Sequence, residues 1–326
     1  MWRKSLILIL AMLSAGSMLI QPALGKEYPT RPIEIVVPYP PGNIMYNMSR
    51  AVADTAPKYL GQPLVVVSKP GAGGSIAAAD AISSKPDGYK LVTLTSTFFS
   101  INTKTQKVPF DPNDLAPLVN FMQFKEGFCV RADSPWKTFN DLLDYGRKNP
   151  GKLRWAHTGR GVAPHIALLL IFRKAGVETI DVPYPQGTSE KLPALLGGHV
   201  DAASMPYGTI KDHVRAGKIR FLIFFTDRRF SDPSDVPTAV ELGFPEVAKL
   251  AIYAPYFVHK DTPEEIKKTL ISALTKTNED PEFKKELEKV GEEPRFGGPE
   301  FIRESIKKAE EIAVPILKEF GLYVGK

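Results

Sequence analysis

The chain has 326 residues, with 42 Lys and Arg against 36 Asp and Glu, a formal charge of +6 and one cysteine. A chain of this length is too long for one ordinary hydrophobic core, so two domains are expected. One cysteine excludes an internal disulfide framework. Basic and acidic residues alternate, as in 282–289, instead of forming the basic stripe of a nucleic-acid-binding face, so no nucleic-acid partner is expected.

Residues 1–25 have the pattern of a secretory signal peptide. The basic residues Arg3 and Lys4 precede the apolar run 6–13, and Gly25 ends a stretch that contains small residues. We expect cleavage after Gly25. Because the apolar run is short for a membrane span, the sequence predicts an exported, periplasmic protein.

Strand-like and helix-like segments alternate in the first part of the mature chain. They are the strand 33–37, the helix 44–60, the strand 64–67, a helix that ends near residue 84 and the strand 89–94. Such alternation predicts a mostly parallel sheet covered by helices. In that architecture ligands bind where loops leave the carboxyl ends of the strands.

The turn 70–75, with the sequence Pro-Gly-Ala-Gly-Gly-Ser, connects the second strand to the following helix. Its glycines allow backbone conformations that are closed to other residues, and the first helical amides point into it without intrahelical partners. The helix dipole adds positive charge there, so an anion is the expected occupant. A second turn, 40–43, follows the first strand, and a carboxylate held between the two turns is predicted.

The glycines of the turn 70–75 have two other interpretations. A dinucleotide site requires Gly-x-Gly-x-x-Gly or Ala, but Ile76 occupies the last of these positions after Gly71 and Gly73. No Gly-Lys-Ser or Gly-Lys-Thr follows, so a P-loop is disfavoured as well. A tight connection between strand and helix that binds no ligand stays open as an alternative.

The second part of the chain repeats this alternation from about residue 128. Its segments are helix 136–148, strand 153–155, the glycine turn 157–161, helix 163–174, strand 180–184, helix 189–196 and strands 200–203 and 219–225. An apolar strand, 251–258, returns the chain to the first part, and helices 264–276, 281–290 and 299–320 end it. We expect one domain of 26–126 plus 257–326, a second of 127–256, and a hinge of two crossings that closes around a ligand.

Catalytic and metal-binding motifs are missing from the sequence. It contains no Gly-x-Ser-x-Gly elbow and no His-Glu-x-x-His helix, and its five histidines are scattered. Cys129 lies between Phe128 and Val130, which is typical of a buried, inert thiol. The sequence therefore predicts no enzyme activity, no cofactor and no metal site, and a secreted hydrolase is the less favoured alternative.

Short segments in a fixed order along the mature chain carry a family resemblance. They include Tyr-Pro-Thr-Arg-Pro-Ile at 28–33, Val-Pro-Tyr-Pro-Pro-Gly at 37–42, Lys-Pro-Gly-Ala-Gly-Gly at 69–74, Lys-Pro-Asp-Gly-Tyr at 85–89, Leu-Leu-Gly-Gly-His-Val-Asp at 195–201 and Asp-Val-Pro-Thr at 235–238. The chain resembles the extracytoplasmic solute receptors of tripartite tricarboxylate transporters, the Bug or TctC-like family. The resemblance implies a type II periplasmic-binding-protein fold, in which two doubly wound α/β domains are joined by a two-crossing hinge.

In that family backbone amides of two loops cage a ligand carboxylate, and the resemblance places these loops at 39–44 and 71–75. Further pocket positions would come from 95–99, 157–161, 184 and 205–207. The predicted ligand-binding residues are Tyr39, Pro41, Gly42, Asn43, Ile44, Tyr46, Gly71, Ala72, Gly73, Gly74, Ser75, Thr97, Phe98, Phe99, His157, Thr158, Arg160, Tyr184, Met205 and Tyr207. We expect a monomeric receptor that delivers a small organic carboxylate to the large and small membrane subunits of a tripartite transporter.

The sequence departs from the family's pattern at positions that bear on the ligand. Asn43 and Tyr46 stand where the family usually has Gly and Asp, and Met205 stands where it often has Asp. Two acidic side chains that could pair with an ammonium group are therefore missing, while Asn43 is expected to tolerate the left-handed backbone region.

The candidate pocket is also rich in aromatic residues, and Arg160 offers a fork for a second carboxylate. We therefore expect an aromatic or apolar mono- or dicarboxylate instead of an amino acid or citrate. The alternative is that several of these rings belong to the core. A ligand sensor that presents its closed form to a membrane kinase is the alternative to a transport receptor.

Overall fold

The computed structural model describes residues 28–324, which form two β-sheets covered by helices, so the predicted signal peptide lies outside the described residues. The strands are β1 (Ile33–Val37), β2 (Leu64–Ser68), β3 (Lys90–Thr93), β4 (Leu115–Gln123), β5 (Glu126–Arg131), β6 (Leu153–His157), β7 (Thr179–Pro183), β8 (Ala202–Pro206), β9 (Ile219–Phe224), β10 (Tyr253–His259) and β11 (Glu293–Gly297). The helices are α1 (Ile44–Thr55), α2 (Pro57–Leu60), α3 (Ser75–Ile82), α4 (Thr103–Thr105), α5 (Phe139–Lys148), α6 (Ala163–Ala175), α7 (Thr188–Leu196), α8 (Tyr207–Arg215), α9 (Pro245–Ala248), α10 (Glu264–Glu279), α11 (Pro281–Val290) and α12 (Pro299–Glu319). A π-helical turn, Phe98–Asn102, precedes α4, and 3₁₀ turns span Ala72–Gly74 and Pro112–Asp114.

Local sequence explains where several helices begin and end. The predicted helix 44–60 is divided into α1 and α2 because Pro57 cannot donate an amide hydrogen bond inside a helix. Helix α5 begins at Phe139 because Thr138 and Asp141 form a capping box. The Thr138 hydroxyl accepts the amide of Asp141, and the Asp141 carboxylate accepts the amide of Thr138.

The first sheet has the strand order β11-β4-β10-β3-β1-β2. Strand β1 runs parallel to β2 and β3, with Val37 opposite Ser68 and Val36 opposite Val92. The inner strand β1 is an apolar run, as expected for a strand covered on both faces. Because β1, β2 and β3 are parallel, the loops that follow them leave at one edge of the sheet.

The second sheet has the strand order β7-β6-β8-β5-β9. Strand β6 runs parallel to β7 and β8, and β5 runs antiparallel to β8, with Glu126 opposite Pro206. The end of β8 and the beginning of β5 therefore share an edge. The thiol of Cys129 lies inside this sheet, where burial raises its pKa, so the predicted burial of the cysteine is confirmed.

The chain passes between the two sheets twice. The first crossing, at residues 124–125, joins the end of β4 to the beginning of β5, and the second returns from β9 to β10. Strand β10 begins beside the end of β4, since Tyr253 is opposite Gln123. Because both crossings lie at the same edges, the carboxyl ends of β1, β3, β6 and β8 lie at the facing edges of the two sheets, and we call the space between these edges the cleft.

Helix α12 contributes to the cores of both lobes. Ile302 packs with residues of the first sheet, whereas Ala309, Ala313 and Leu317 are buried in the cluster around Trp155 of the second sheet. The predicted domain division assigns this helix to the first domain alone, and that division stays a prediction. Within residues 28–324 no helix combines the length and the apolarity that crossing a bilayer requires.

Candidate functional site

The glycine turn after β2 has an uninterrupted run of left-handed backbone conformations. The φ angles are +129° at Gly71, +45° at Ala72, +60° at Gly73 and +102° at Gly74. Ala72 is the one described residue other than glycine with a positive φ. Four such residues in a row are unfavourable for an ordinary sequence, so the surrounding structure must hold the turn in place.

Two side chains from the segment after the π-helical turn hold this turn. Asn102 Nδ2 donates to the Gly73 carbonyl at 3.3 Å, and Gln106 Nε2 donates to the Ala72 carbonyl at 3.2 Å. Gln106 Nε2 also lies 3.3 Å from the hydroxyl oxygen of Ser75. With the carbonyls occupied, the amides of residues 71–73 have no hydrogen-bond partner within the described chain. The sequence interpretation missed Asn102 and Gln106.

The turn after β1 is built differently from the sequence expectation. Gly42 takes the left-handed conformation with a φ of +89°, while Asn43 is extended with a φ of −71°. Asn43 therefore does not use the left-handed region that it was expected to tolerate. Its side chain instead caps α1, because Asn43 Oδ1 accepts the amide of Met45 at 2.9 Å. The amides of Ile44 and Tyr46 have no partner among the described residues, and the first turn of α1 carries no acidic side chain.

The two amide-rich turns lie side by side. The Ser68 hydroxyl donates to the Tyr39 carbonyl at 2.9 Å, and the amide of Lys69 donates to the Val37 carbonyl at 2.8 Å. These bonds continue the parallel pairing of β1 and β2 to the point where both loops begin. Together the turns present unpartnered N–H groups and helix N-termini without acidic side chains, which is the environment that stabilises an anion.

The second lobe contributes the ends of β6, β7 and β8. The amide of Tyr184 donates to the His157 carbonyl at 2.8 Å, and the amide of Tyr207 donates to the Lys125 carbonyl at 2.9 Å. Thr158 is exposed and Tyr184 is half-buried at this edge. The parallel register therefore brings the predicted positions of the second lobe together at its cleft-facing edge.

A carboxylate that the sequence interpretation overlooked fixes the third glycine turn. Asp181 Oδ2 lies 3.0 Å from His157 Nε2, 3.0 Å from Arg160 Nε and 3.6 Å from His165 Nε2. Burial works against this charge, but hydrogen bonds from Arg160 and His157 outweigh it and hold the pKa of Asp181 below its usual range. Burial lowers the pKa of His157, and burial with the nearby His157 lowers the pKa of His165 to about 4.

His157, His165 and Asp181 are also the described group whose donor atoms lie close enough to hold a metal ion, within 4.8 Å of one another. Each of the three side chains, however, already has a hydrogen-bond partner, although His157 Nδ1 is buried without one. The amide of Gly161 donates to His165 Nδ1 at 3.3 Å, which places the ring proton on Nε2, toward Asp181. The Arg160 guanidinium donates to both oxygens of the same carboxylate, and its positive charge disfavours a cation there. The group therefore fits a carboxylate surrounded by donors better than a metal centre.

The predicted site residues divide into those at the cleft and those in the cores. Residues of the first two turns, with Tyr46, Thr158, Arg160 and Tyr184, lie at the facing edges, whereas the side chains of Phe98, His157, Met205 and Tyr207 are buried. Thr97 is also buried, and its hydroxyl donates to that of Thr95 at 3.0 Å. The ring of Phe99 packs 4.6 Å from that of Phe257, away from the glycine turn. Ligand contacts of these residues stay predictions.

Two α/β lobes that face each other across two crossings, with amide-rich turns at the facing edges, have the architecture of periplasmic binding proteins. A TctC solute binding protein from Polaromonas has a similar structure, with a TM-score of 0.76 and 28% identity over 89% of this chain and 99% of that one. A protein of R. palustris solved with adipate gives a TM-score of 0.77 at 26% identity, over 90% of this chain and 99% of that one. The predicted α/β fold class is thereby confirmed.

The chain belongs to the TctC family, the tripartite tricarboxylate transporter family receptors, whose model matches residues 48–322. A relative from Cupriavidus necator, the UPF0065 protein in the gbd 5′ region, is 34% identical over 298 residues, which are 89% of each chain. Protein BugT of Bordetella pertussis is 29% identical over 258 residues, which are 77% of each chain. The predicted family is confirmed.

Proposed function

We propose that this protein is a periplasmic receptor that captures a small organic carboxylate between its two lobes and delivers it to the membrane subunits of a tripartite transporter. One observation carries the proposal: the turns after β1 and β2 lie side by side and present amides without partners in the described chain. Such amides bind a carboxylate through charge-assisted hydrogen bonds. Binding requires no chemical step, so no catalytic activity is proposed.

The ligand class follows from the side chains at the facing edges. The residues that depart from the family's pattern, Asn43, Tyr46 and Met205, leave no carboxylate at those positions to pair with an ammonium group. Tyr39, Tyr46 and Tyr184 supply half-buried aromatic surface. We infer an apolar or aromatic mono- or dicarboxylate, and the R. palustris relative solved with adipate has a ligand of the aliphatic dicarboxylic kind.

Closure around the ligand is the proposed mode of capture. A ligand that contacts both lobes stabilises the closed arrangement because only that arrangement provides the complete set of contacts. Arg160 is available as a fork for a second carboxylate, since its side chain is 62% exposed while it contacts Asp181. A dicarboxylate would then share this guanidinium with Asp181.

A thermal-shift screen of residues 26–326 tests the receptor and its ligand class. The panel contains adipate, phthalate, benzoate, citrate, malate and glutamate. A ligand at 100 times its dissociation constant adds about 2.7 kcal/mol of stability. A shift with apolar or aromatic acids alone supports both proposals, shifts confined to citrate or malate support the receptor but reject the ligand class, and no shift with any acid contradicts the receptor.

Substitution of Asn102 tests whether the glycine turn holds the carboxylate. Asn102→Ala removes the hydrogen bond to the Gly73 carbonyl, so we expect affinity for the acid found in the screen to fall about tenfold, or 1.4 kcal/mol. Asn140→Ala, at an exposed position of α5, is the matched control and should leave the affinity unchanged. Equal affinity in both variants, measured by calorimetry, would contradict a contribution of the Asn102 anchor to binding.

A further inference from the structure

The carboxylate of Asp181, on the edge strand β7, contacts both ends of the third glycine turn, which runs from His157 to Gly161. Its Oδ2 lies 3.0 Å from His157 Nε2, at the start of the turn, and 3.0 Å from Arg160 Nε, near the end. His165 Nε2 lies 3.6 Å from the same oxygen, while Nδ1 of this ring accepts the amide of Gly161 at 3.3 Å. One carboxylate from a neighbouring strand therefore fixes the turn and the arginine that the turn carries.

Arg160 and Asp181 are the two charged groups of this cluster. Burial opposes the charge of Asp181, but hydrogen bonds from Arg160 and His157 outweigh it and lower the pKa of its carboxyl group. Burial lowers the pKa of His157, and burial with the nearby His157 lowers the pKa of His165 to about 4, so both rings are neutral at pH 7. Within the cluster, Asp181 alone compensates the charge of Arg160.

The guanidinium of Arg160 has two edges, each of which can bind a carboxylate through two parallel N–H bonds. Asp181 occupies the side edge, because Oδ2 accepts from Nε at 3.0 Å and Oδ1 accepts from Nη2 at 3.3 Å. The end edge, formed by Nη1 and the second N–H of Nη2, has no acceptor within residues 28–324. Since the Arg160 side chain is largely exposed, a ligand can reach this end edge.

The third glycine turn adjoins the segment that holds the glycine turn of the first lobe. A Cβ added at Gly161 would lie 3.1 Å from the side chain of Thr105. Thr105 directly precedes Gln106, whose side chain donates to the Ala72 carbonyl at 3.2 Å. Arg160 precedes Gly161 in the chain, so it lies where the second lobe adjoins the amide-rich turns of the first.

We propose that Asp181 is a positioning residue that holds the end edge of Arg160 ready for the second carboxylate of a dicarboxylate, and that this arrangement selects the ligand by its chain length. One carboxylate binds at the amides of the first lobe and the other at Arg160. Because both sites are fixed, the distance between them determines which chain length fits. The inference rests on the proposed carboxylate function and adds a residue that acts through Arg160 without touching the ligand.

Asp181 has two opposite effects on a bound dicarboxylate. Its negative charge repels the ligand, but Arg160 compensates that charge at hydrogen-bond distance. Its hydrogen bonds also restrict the rotamers of Arg160 before the ligand arrives, so less side-chain entropy is lost on binding. We expect the second effect to be the larger, and removal of the Asp181 charge should therefore weaken the binding of dicarboxylates.

Calorimetric titration of residues 26–326 measures the contribution of the second carboxylate. The ligands are the α,ω-dicarboxylates from succinate to suberate, each with the monocarboxylate of the same number of carbons, from butyrate to octanoate. We expect the dicarboxylate to bind at least about tenfold more tightly than its monocarboxylate at one chain length, a difference of 1.4 kcal/mol, and less so at shorter and longer chains. Equal affinities within every pair would reject the inference.

Single substitutions test the two residues. Arg160→Gln removes the guanidinium and should reduce the preference for the dicarboxylate to about onefold, while the monocarboxylate affinity stays within about twofold of the parent. Asp181→Asn should lower the preference at least about fivefold, again with little change for the monocarboxylate. Asp144→Asn removes a carboxylate that pairs with Arg147 on α5, at an exposed position, and is the matched control that should change neither affinity.

The double variant separates positioning from a general structural role. If Asp181 acts through Arg160, Asp181→Asn lowers the dicarboxylate affinity in the parent but not in the Arg160→Gln background. An equal loss for monocarboxylates and dicarboxylates, or the same loss in both backgrounds, would overturn the proposal. Thermal unfolding of each variant establishes that it is folded before its affinity is compared.

Arg160→Lys tests the same geometry should Asp181→Asn fail to fold. Lysine keeps the positive charge but has no planar pair of N–H donors, so the preference should fall at least about fivefold and the optimum of chain length should be lost. A preference and an optimum that survive in Arg160→Lys would show that charge alone suffices, which would overturn the role of the end edge.

The monocarboxylates distinguish failure of this inference from failure of the proposed function. If no acid of either series binds, the carboxylate receptor is contradicted and the inference fails with it. If the monocarboxylates bind and the second carboxylate adds nothing at any chain length, the receptor stands and only the role of Arg160 and Asp181 is rejected.

Discussion

At the scale of single residues, the glycine turn shows how a local sequence and distant side chains together make a binding surface. The glycines provide the left-handed conformations, and the structure adds an alanine, Ala72, to that run. The anchors Asn102 and Gln106 lie far along the chain, so their contact with the turn depends on tertiary packing. Sequence reasoning could therefore predict the shape of this turn but not the side chains that hold it.

A glycine substitution tests the strain at this turn. Gly74→Ala combines a φ of +102° with a Cβ only 3.2 Å from Leu94 Cδ2, so we expect a loss of about 1–3 kcal/mol in the free energy of unfolding. Gly217→Ala is the control, because its φ is +66° and nothing lies within 4 Å of the added Cβ. It should cost about 1 kcal/mol from backbone strain alone. Urea unfolding measures both, and equal losses would show that packing around Gly74 contributes nothing.

At the third glycine turn, by contrast, the sequence predicted residues of the turn itself but missed the carboxylate that holds them. The sequence predicted His157 and Arg160 as ligand contacts from their positions on a glycine turn, but gave no role to Asp181 or His165. A strand pairing, β6 with β7, brings Asp181 next to His157. The alternation of the strand could have indicated an inward-facing carboxylate, because an Asp inside an otherwise apolar strand requires partners.

At the scale of elements, strands that belong to simple β-α-β patterns could be predicted, whereas strand β4, which lies outside such a pattern, could not. The limits predicted for β1 match the structure, and those of β2 and β3 differ by one residue at the ends. Strand β4 was missed because Pro117, which cannot donate to a ladder, makes its sequence unlike that of a central strand. Strand β10, which returns the chain to the first sheet, was predicted. The apolar run that forms it follows the second lobe and requires burial in the first.

The end of helix α12 allows a comparison of two kinds of contact with the second lobe. Leu317 is fully buried, so Leu317→Ala should lower the free energy of unfolding by about 2–5 kcal/mol. Glu319, two residues later, pairs with Arg173 at an exposed position, and Glu319→Ala should change it by at most about 1 kcal/mol. Chemical denaturation of both variants measures the two losses in the free energy of unfolding. A large loss for Glu319→Ala would mean that the ion pair, and not apolar burial, fixes the helix to the second lobe.

At the scale of the whole molecule, both crossings converge on a group of buried acids. Glu126 begins β5 directly after the first crossing and faces an apolar recess that includes Pro164, Phe225 and Leu250. Burial raises the pKa of Glu126 to about 7, and burial raises the pKa of Glu292, beside Lys125, to about 8. These groups link the stability of the joined lobes to pH. The two-domain organisation was predictable from length and alternation, but these charges at the junction were not.

Glu126→Gln tests this dependence on pH. A glutamate has a pKa of about 4.3 in the unfolded chain, so the folded state binds this proton more tightly. The contribution to stability is complete below about pH 4 and is lost as the pH rises toward 7. At pH 7.5 the variant should therefore be more stable than the parent by up to about 3 kcal/mol, with little difference at pH 4. Thermal and urea unfolding across this range, with the exposed Glu178→Gln as control, measures it, and parallel profiles would contradict the assignment.

The strand order of the first sheet also determines when that sheet can form during synthesis. Strand β10 lies between β3 and β4, although more than 120 residues separate it from β4 along the chain. Until residues 253–259 have been made, β3 and β4 lack the neighbour that joins them, and the first lobe stays in two pieces. The strands of the second lobe lie within one continuous stretch, but its core also receives Leu317 from the last helix. Both cores are therefore complete only when the last helix has been made, because Ile302 belongs to the first lobe and Leu317 to the second.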